Sequence, residues 1–150
     1  MQLSSRFPVA VQMLIILAWC PEDIKITSDA MASSVNTNPA LIRRIMGYLK
    51  KADLIAVAPG VGGTRLTRNI DEITLLDVYQ AVELTDDDRL FGLHDSPNPQ
   101  CPIGNRINEV LLPYLEQARE ALEASLAAVT LEQLLEEFPP FDYRLLPKMS

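Results

Sequence analysis

Apolar residues along this chain recur at three- and four-residue intervals in several stretches, and most stretches begin at a capping residue or end at a proline. The first runs from Val9 to Cys20 and predicts a buried helix from Ser4 or Ser5 to Trp19, which Pro21 stops by excluding the helical conformation from Cys20. Lys25 and Ile26 read as a brief extended piece. A short helix follows, capped by Thr27 or Ser28, with Asp29 in its first turn and Met31, Ala32 and Val35 facing inward. Val35-Asn36-Thr37 makes a turn, and Asn38 caps a third helix whose first position is Pro39, where a missing N–H costs nothing. Ile42, Ile45, Met46 and Leu49 give it one buried stripe, with Arg43, Arg44, Gly47, Lys50 and Lys51 on the opposite side. Leu54 to Ala58 and Thr64 to Thr67 are short enough and β-branched enough for two strands. Pro59, Gly60, Gly62 and Gly63 form their turn.

Beyond this hairpin Thr74 caps another amphipathic helix, with Leu75, Leu76, Val78, Tyr79 and Val82 apolar. Residues 86–102 are polar, hold three prolines and predict a loop. Ile103 to Val129 then keeps a helical period for about seven turns. Such a length exceeds what a small domain can cover, so a partner helix from a second subunit is expected, meeting Ile107, Leu111, Leu115, Leu122 and Leu126. Pro113 should kink or interrupt it. Thr130 caps a final helix, Leu131 to Phe138, ended by Pro139-Pro140, and a tail carries Phe141, Tyr143, Leu145 and Leu146. The expected architecture is mainly α: a winged helix-turn-helix with a two-stranded wing and a long C-terminal dimerisation helix. Its boundaries are a head over 1–84, a loop over 85–102, dimerisation and terminal helices over 103–138, and a tail over 139–150.

Charge sharpens this picture. At 150 residues and 48% hydrophobic the chain can build one good core, and its net charge of −7 is unevenly spread. Residues 1–68 hold eight Lys/Arg against four Asp/Glu, net +4, whereas the remainder holds five against sixteen, net −11. A basic helix with an open N-terminus beside a hairpin suits double-stranded DNA, while the acidic remainder favours solubility and limits indiscriminate binding. The expected contacts are Thr37, Asn38, Ala40 and Arg43 nearest the bases, with Arg44, Lys50, Lys51, Arg65 and Arg68 on phosphate. The rival reading is a winged helix that serves only for dimerisation or protein docking. A charged face alone is more often merely solvated, and the hairpin tips the balance. The Val9–Cys20 run falls short of the roughly 20 residues that span a bilayer, so no targeting signal, no membrane partner and a cytoplasmic location are expected.

Two cysteines, Cys20 and Cys101, are too few and too distant for a disulfide framework or a zinc knuckle. Cys101, with Pro102 at the first helical position, is expected at the mouth of the long helix, where free N–H groups and the dipole favour a thiolate. It is the candidate redox sensor, weighed against a cysteine that simply packs. Cys20, beside Trp19, reads as core. With one histidine and no nucleophile elbow, phosphate cradle or paired carboxylates, the chain is not expected to be an enzyme. Asp86-Asp87-Asp88 reads as a solvated turn.

Leu49-Lys50-Lys51-Ala52-Asp53-Leu54-Ile55, the Gly60-Val61-Gly62-Gly63-Thr64-Arg65-Leu66 hairpin and Ile73-Thr74-Leu75-Leu76-Asp77-Val78 together resemble the Rrf2-type bacterial transcription regulators. Asn98-Pro99-Gln100-Cys101-Pro102-Ile103-Gly104 is most similar to the YwnA-like branch. The likeness runs from the first helix to about Phe138. It implies a homodimeric winged-helix regulator, a repressor by expectation, with a long helix crossing between subunits. Cluster-binding members carry three closely spaced cysteines between the fourth helix and the dimer helix. Here only Cys101 lies there, with His94 seven residues earlier, so no iron–sulfur cluster, metal or other cofactor is expected. Val61 and Thr64 stand where relatives often carry a proline and an aromatic, a departure that bears on base or sugar contacts from the wing and not on its shape. The effector is left unnamed by the sequence.

Overall fold

A computed structural model describes residues 4–60, 63–84, 90–142 and 144. The expectations for Val61 and Gly62 at the hairpin tip, for Asp86-Asp87-Asp88, and for Tyr143, Leu145 and Leu146 fall outside these residues. The element order is α1 (Arg6–Trp19), α2 (Ser28–Val35), α3 (Pro39–Lys51), β1 (Ile55–Val57), β2 (Thr64–Leu66), α4 (Leu75–Val82), α5 (Ile107–Ala127) and α6 (Leu131–Leu135). This is the mainly helical winged architecture that the sequence predicts.

Local chemistry explains most boundaries. Thr27 caps α2 by accepting the Ala30 N–H, and Asn38 caps α3 by accepting the Ala40 N–H at 2.7 Å. Between them Asn36 adopts φ 59°, and the Thr37 N–H returns to the Ala32 carbonyl at 3.1 Å, a left-handed helix end that asparagine tolerates better than most residues. β1 and β2 pair antiparallel, Ile55 opposite Leu66 and Val57 opposite Thr64, one residue shorter at each end of β1 than the apolar run implies. Gly60 (φ +70°) and Gly63 (φ +77°) take the positive φ that the turn needs. Gly63 also lies against Lys25 and Ile26, and Thr64 donates its N–H to the Ile26 carbonyl at 3.1 Å. The extended piece after α1 is thereby fastened to the root of the hairpin.

The core gathers Met13, Leu14, Ile42, Ile45, Leu49, Leu54, Ile73, Val78, Tyr79, Val82 and Leu131, and no polar or charged side chain among the described residues is buried. Each such aliphatic side chain contributes about 1.5–3 kcal/mol by leaving water. Leu131 belongs to this list because α6 folds back onto α1. The last segment follows it: Trp19 Nε1 donates to the Pro139 carbonyl at 2.7 Å and its ring meets Phe141 at 4.8 Å.

Three expectations change. The long helix starts at Ile107 and not Ile103, because residues 101–106 close into separate turns (Asn105 N–H to Cys101 O, Arg106 N–H to Ile103 O) that precede it. Of the kink or break expected at Pro113, the break does not occur: one helix runs through it. α6 ends at Leu135, and Pro139 leaves only tight i→i+3 turns for Glu137 and Phe138.

Candidate nucleic-acid interface

α3 buries Ile42, Ile45 and Leu49 completely, which turns Arg43, Arg44, Lys50 and Lys51 to the surface. Arg65 is exposed on β2 and Arg68 just beyond it. Among the described residues no hydrogen bond or ion pair engages Arg43, Lys50, Lys51, Arg65 or Arg68, so five cations of the helix and hairpin remain open to a phosphate. Arg44 differs. Its Nε donates to Tyr48 Oη at 3.1 Å, and Arg6 of α1 lies over the same ring at 5.8 Å. Tyr48 thus sits between two guanidinium groups, of which Arg6 ties α3 to the start of α1, a contact between distant segments that no local pattern announces.

At the N-terminal end of α3, Thr37 is half-buried while Asn38 and Ala40 are exposed. The Asn38 side-chain oxygen is held by the cap, which leaves its two amide N–H donors unengaged. The Ala40 methyl is of the kind that meets a thymine methyl. Asp29, Ser33 and Asn36 flank Thr37, Asn38 and Pro39 around a shallow concavity. Ser33 is exposed at its edge.

The cysteines part company. Cys20 is buried beneath the end of α1, and burial pushes its thiol up. Cys101 lies in its own turn, not at the mouth of α5. There the Gly104 and Ile103 N–H groups hold its thiol below the usual range, with Gly104 N at 3.3 Å from the sulfur. The direction of the shift is as expected, but its source is a local turn and not the dipole of the long helix. Gly104 is required there, since a Cβ would come within 2.9 Å of the Asn98 carbonyl.

α5 has no buried residue along its 21 positions. Val110, Leu111 and Tyr114 are exposed, Tyr114 by 68%, and on a helix they share one face with Ile107 and Ala118. Of the expected row, Leu111 lies on that face, whereas Leu115 looks towards the loop residues Leu90, Phe91 and Leu93. Leu122 and Leu126, half-buried, lie in the half of α5 that leads back to α6.

Comparison with known proteins adds an independent line. The family model for Rrf2, described as iron-dependent transcriptional regulators, matches residues 3–137. The chain belongs to the Rrf2 family. It is similar to YwnA of Bacillus subtilis (strain 168), named as an HTH-type transcriptional regulator, at 38% identity over 89% of this chain and 96% of that protein. A crystal structure titled as a DNA-binding protein superposes with TM-score 0.70 at 35% identity, covering 87% of this chain and 99% of the other. A transcriptional regulator from Lactobacillus plantarum superposes with TM-score 0.73 at 28% identity, over 88% of each chain. The protein is therefore a DNA-binding transcriptional regulator and not an enzyme. No helix among the described residues is long and apolar enough to cross a membrane.

The family description raises iron, and the donor set answers it. An iron–sulfur cluster is held by grouped thiolates, with imidazole as an occasional substitute. Cys20 is sealed in the core, the Cys101 sulfur accepts from Gly104, and His94 Nδ1 accepts the Ser96 N–H at 3.4 Å. Among the described residues no three Cys, His, Asp or Glu side chains gather into a metal cage. These residues do not fit the group.

Proposed function

We propose that the protein is a homodimeric repressor that reads an operator with the N-terminal end of α3 and grips phosphate with the rest of α3 and the hairpin. The observation that carries this reading is the set of unengaged cations, Arg43, Lys50, Lys51, Arg65 and Arg68, on elements whose apolar faces are consumed by the core. Thr37, Asn38, Ala40 and Arg43 stand nearest the bases, and Arg44 reaches phosphate from its seat on Tyr48. The dimer rests on α5, whose Val110, Leu111 and Tyr114 leave an apolar row exposed on one face. Ile107 and Leu111 are its central contacts, while Leu115, Leu122 and Leu126 support the arm from their half-buried positions. The protein acts in the bacterial cytoplasm without a metal, and Cys101 is its thiol sensor.

The test is fluorescence anisotropy with the duplex upstream of the protein's own coding region, across a salt series. Lys51→Ala should weaken binding to all sequences alike and reduce the salt slope by about one unit. Arg43→Ala should also relax sequence preference. An intact dimer without salt-sensitive affinity for any duplex would sink the reading in favour of a docking module.

A further inference from the structure

Among the described residues the arginines divide by what holds them. Arg6, Arg106, Arg119 and Arg144 each lie against a carboxylate, which answers their charge within the fold. Arg43, Arg65 and Arg68 have no hydrogen-bond or ion-pair partner there. Arg44 alone in this set is held by a neutral group: its Nε donates to Tyr48 Oη at 3.1 Å, one helical turn further along α3. A phenol hydroxyl fixes the guanidinium without answering its charge. One N–H donor of the five is used, and the four on Nη1 and Nη2 have no partner among the described residues. Those four are what a bidentate contact with phosphate needs, and a guanidinium already held loses less freedom on binding.

Tyr48 is itself fixed from its other side. Arg6 of α1 stands 5.8 Å from the ring centroid, its Nε donates to Ser4 Oγ at 3.0 Å, and Ser4 Oγ donates to Glu83 Oε1 at 2.7 Å. Arg6 Nη2 also lies 4.0 Å from Glu83 Oε2, on a side chain only 9% exposed. The charge of Arg6 is thus answered at the end of α4 while its guanidinium lies over the Tyr48 ring. Ring and hydroxyl rest on an anchor made by α1 and α4. We infer that Tyr48 is a positioning residue for DNA: its hydroxyl presents Arg44 to a backbone phosphate and makes no contact with DNA of its own. This role rests on the function proposed above and adds what aims one of its phosphate contacts.

A double-mutant cycle on the full chain tests it, read by fluorescence anisotropy with the duplex upstream of its own coding region. Tyr48→Phe keeps the ring and its contact with Arg6 and removes only the hydroxyl. It should weaken binding about threefold with the salt slope unchanged, since the charge stays on α3. Arg44→Ala should weaken binding further and lower the slope by about one unit. Adding Tyr48→Phe to Arg44→Ala should change nothing more, because the hydroxyl then has nothing to aim. A threefold loss that persists in the Arg44→Ala background would show Tyr48 acting by itself, and no loss from Tyr48→Phe would show the bond to be idle. Either result overturns the role of Tyr48 and leaves the DNA reading standing. An unaltered protein that binds no duplex overturns both.

Discussion

Thr74 and Thr130 face each other across an isolated antiparallel bridge, and each of them caps the helix that follows it. Thr74 forms a capping box with Asp77 at the start of α4, and Thr130 forms one with Gln133 at the start of α6. The flanking bonds, Leu75 N–H to the Val129 carbonyl and Leu131 N–H to the Ile73 carbonyl, are both 2.9 Å. One short ladder therefore starts two helices and fixes the end of the arm to the head.

Removing either cap should cost about 1 kcal/mol, lowering the melting temperature by about 2–4 °C. Because the two threonines share the bridge, Thr74→Ala with Thr130→Ala should depart from the sum of the single losses. Thermal unfolding followed by circular dichroism measures all three variants, and strict additivity would show the two caps to be independent.

Asn36 tests the turn before α3. Its left-handed backbone suits glycine at least as well, so Asn36→Gly should leave stability within a few tenths of a kcal/mol. Asn36→Val should lose about 1–2 kcal/mol, since a β-branched side chain is strained there. Urea denaturation separates these outcomes. Equal losses would mean that the asparagine side chain, and not its backbone, holds the turn.

The arm makes a prediction about assembly. Leu111→Glu combined with Tyr114→Glu places charges on side chains already exposed within one chain, so the head should stay folded while the proposed dimer dissociates. Sedimentation velocity reads the change. A double variant that remains dimeric would move the interface off this face.

Thiol chemistry should discriminate the two cysteines. The lowered thiol of Cys101 should be alkylated by iodoacetamide with a pH midpoint below that of a free cysteine, and Cys20 should resist until the protein unfolds. The sign follows for stability too. A thiol depressed in the folded state favours folding above the unfolded-state value and loses that contribution as pH falls through the folded one. If Cys101 is the sensor, a mild disulfide donor should change DNA affinity reversibly, and Cys101→Ser should abolish the response. Full retention of the response in that variant would reduce Cys101 to packing.

Legibility in the sequence tracked the locality of the forces. Asn38-Pro39 announced the start of α3 because cap and first turn lie within a few residues, and Thr74 and Thr130 did the same for α4 and α6. The buried stripe of Ile42, Ile45 and Leu49 was equally plain, and with it the outward cations. Contacts between distant segments were not legible. Nothing near Tyr48 announces Arg6, and nothing near Trp19 announces Pro139 or Phe141. Periodicity alone also overextended α5 to Ile103, because Ile103 keeps the helical spacing while the turn around Gly104 excludes it from the helix. The same spacing grouped Leu115 with Leu111, although the loop draws Leu115 to its own side.

The bridge at Thr130 makes α5 a cantilever. Its C-terminal end is clamped to the head, while its N-terminal half buries no residue in the core and is held by the loop, through the hydrogen bonds of Asn108 with His94. At 1.5 Å per residue the beam is about 30 Å long, so a tilt of about 5° at the clamp carries the far end some ~3 Å. Leverage also runs backwards: in the proposed dimer, a small displacement where two arms meet would turn each head about its root, and the spacing of the two α3 helices would change without any rearrangement inside either core.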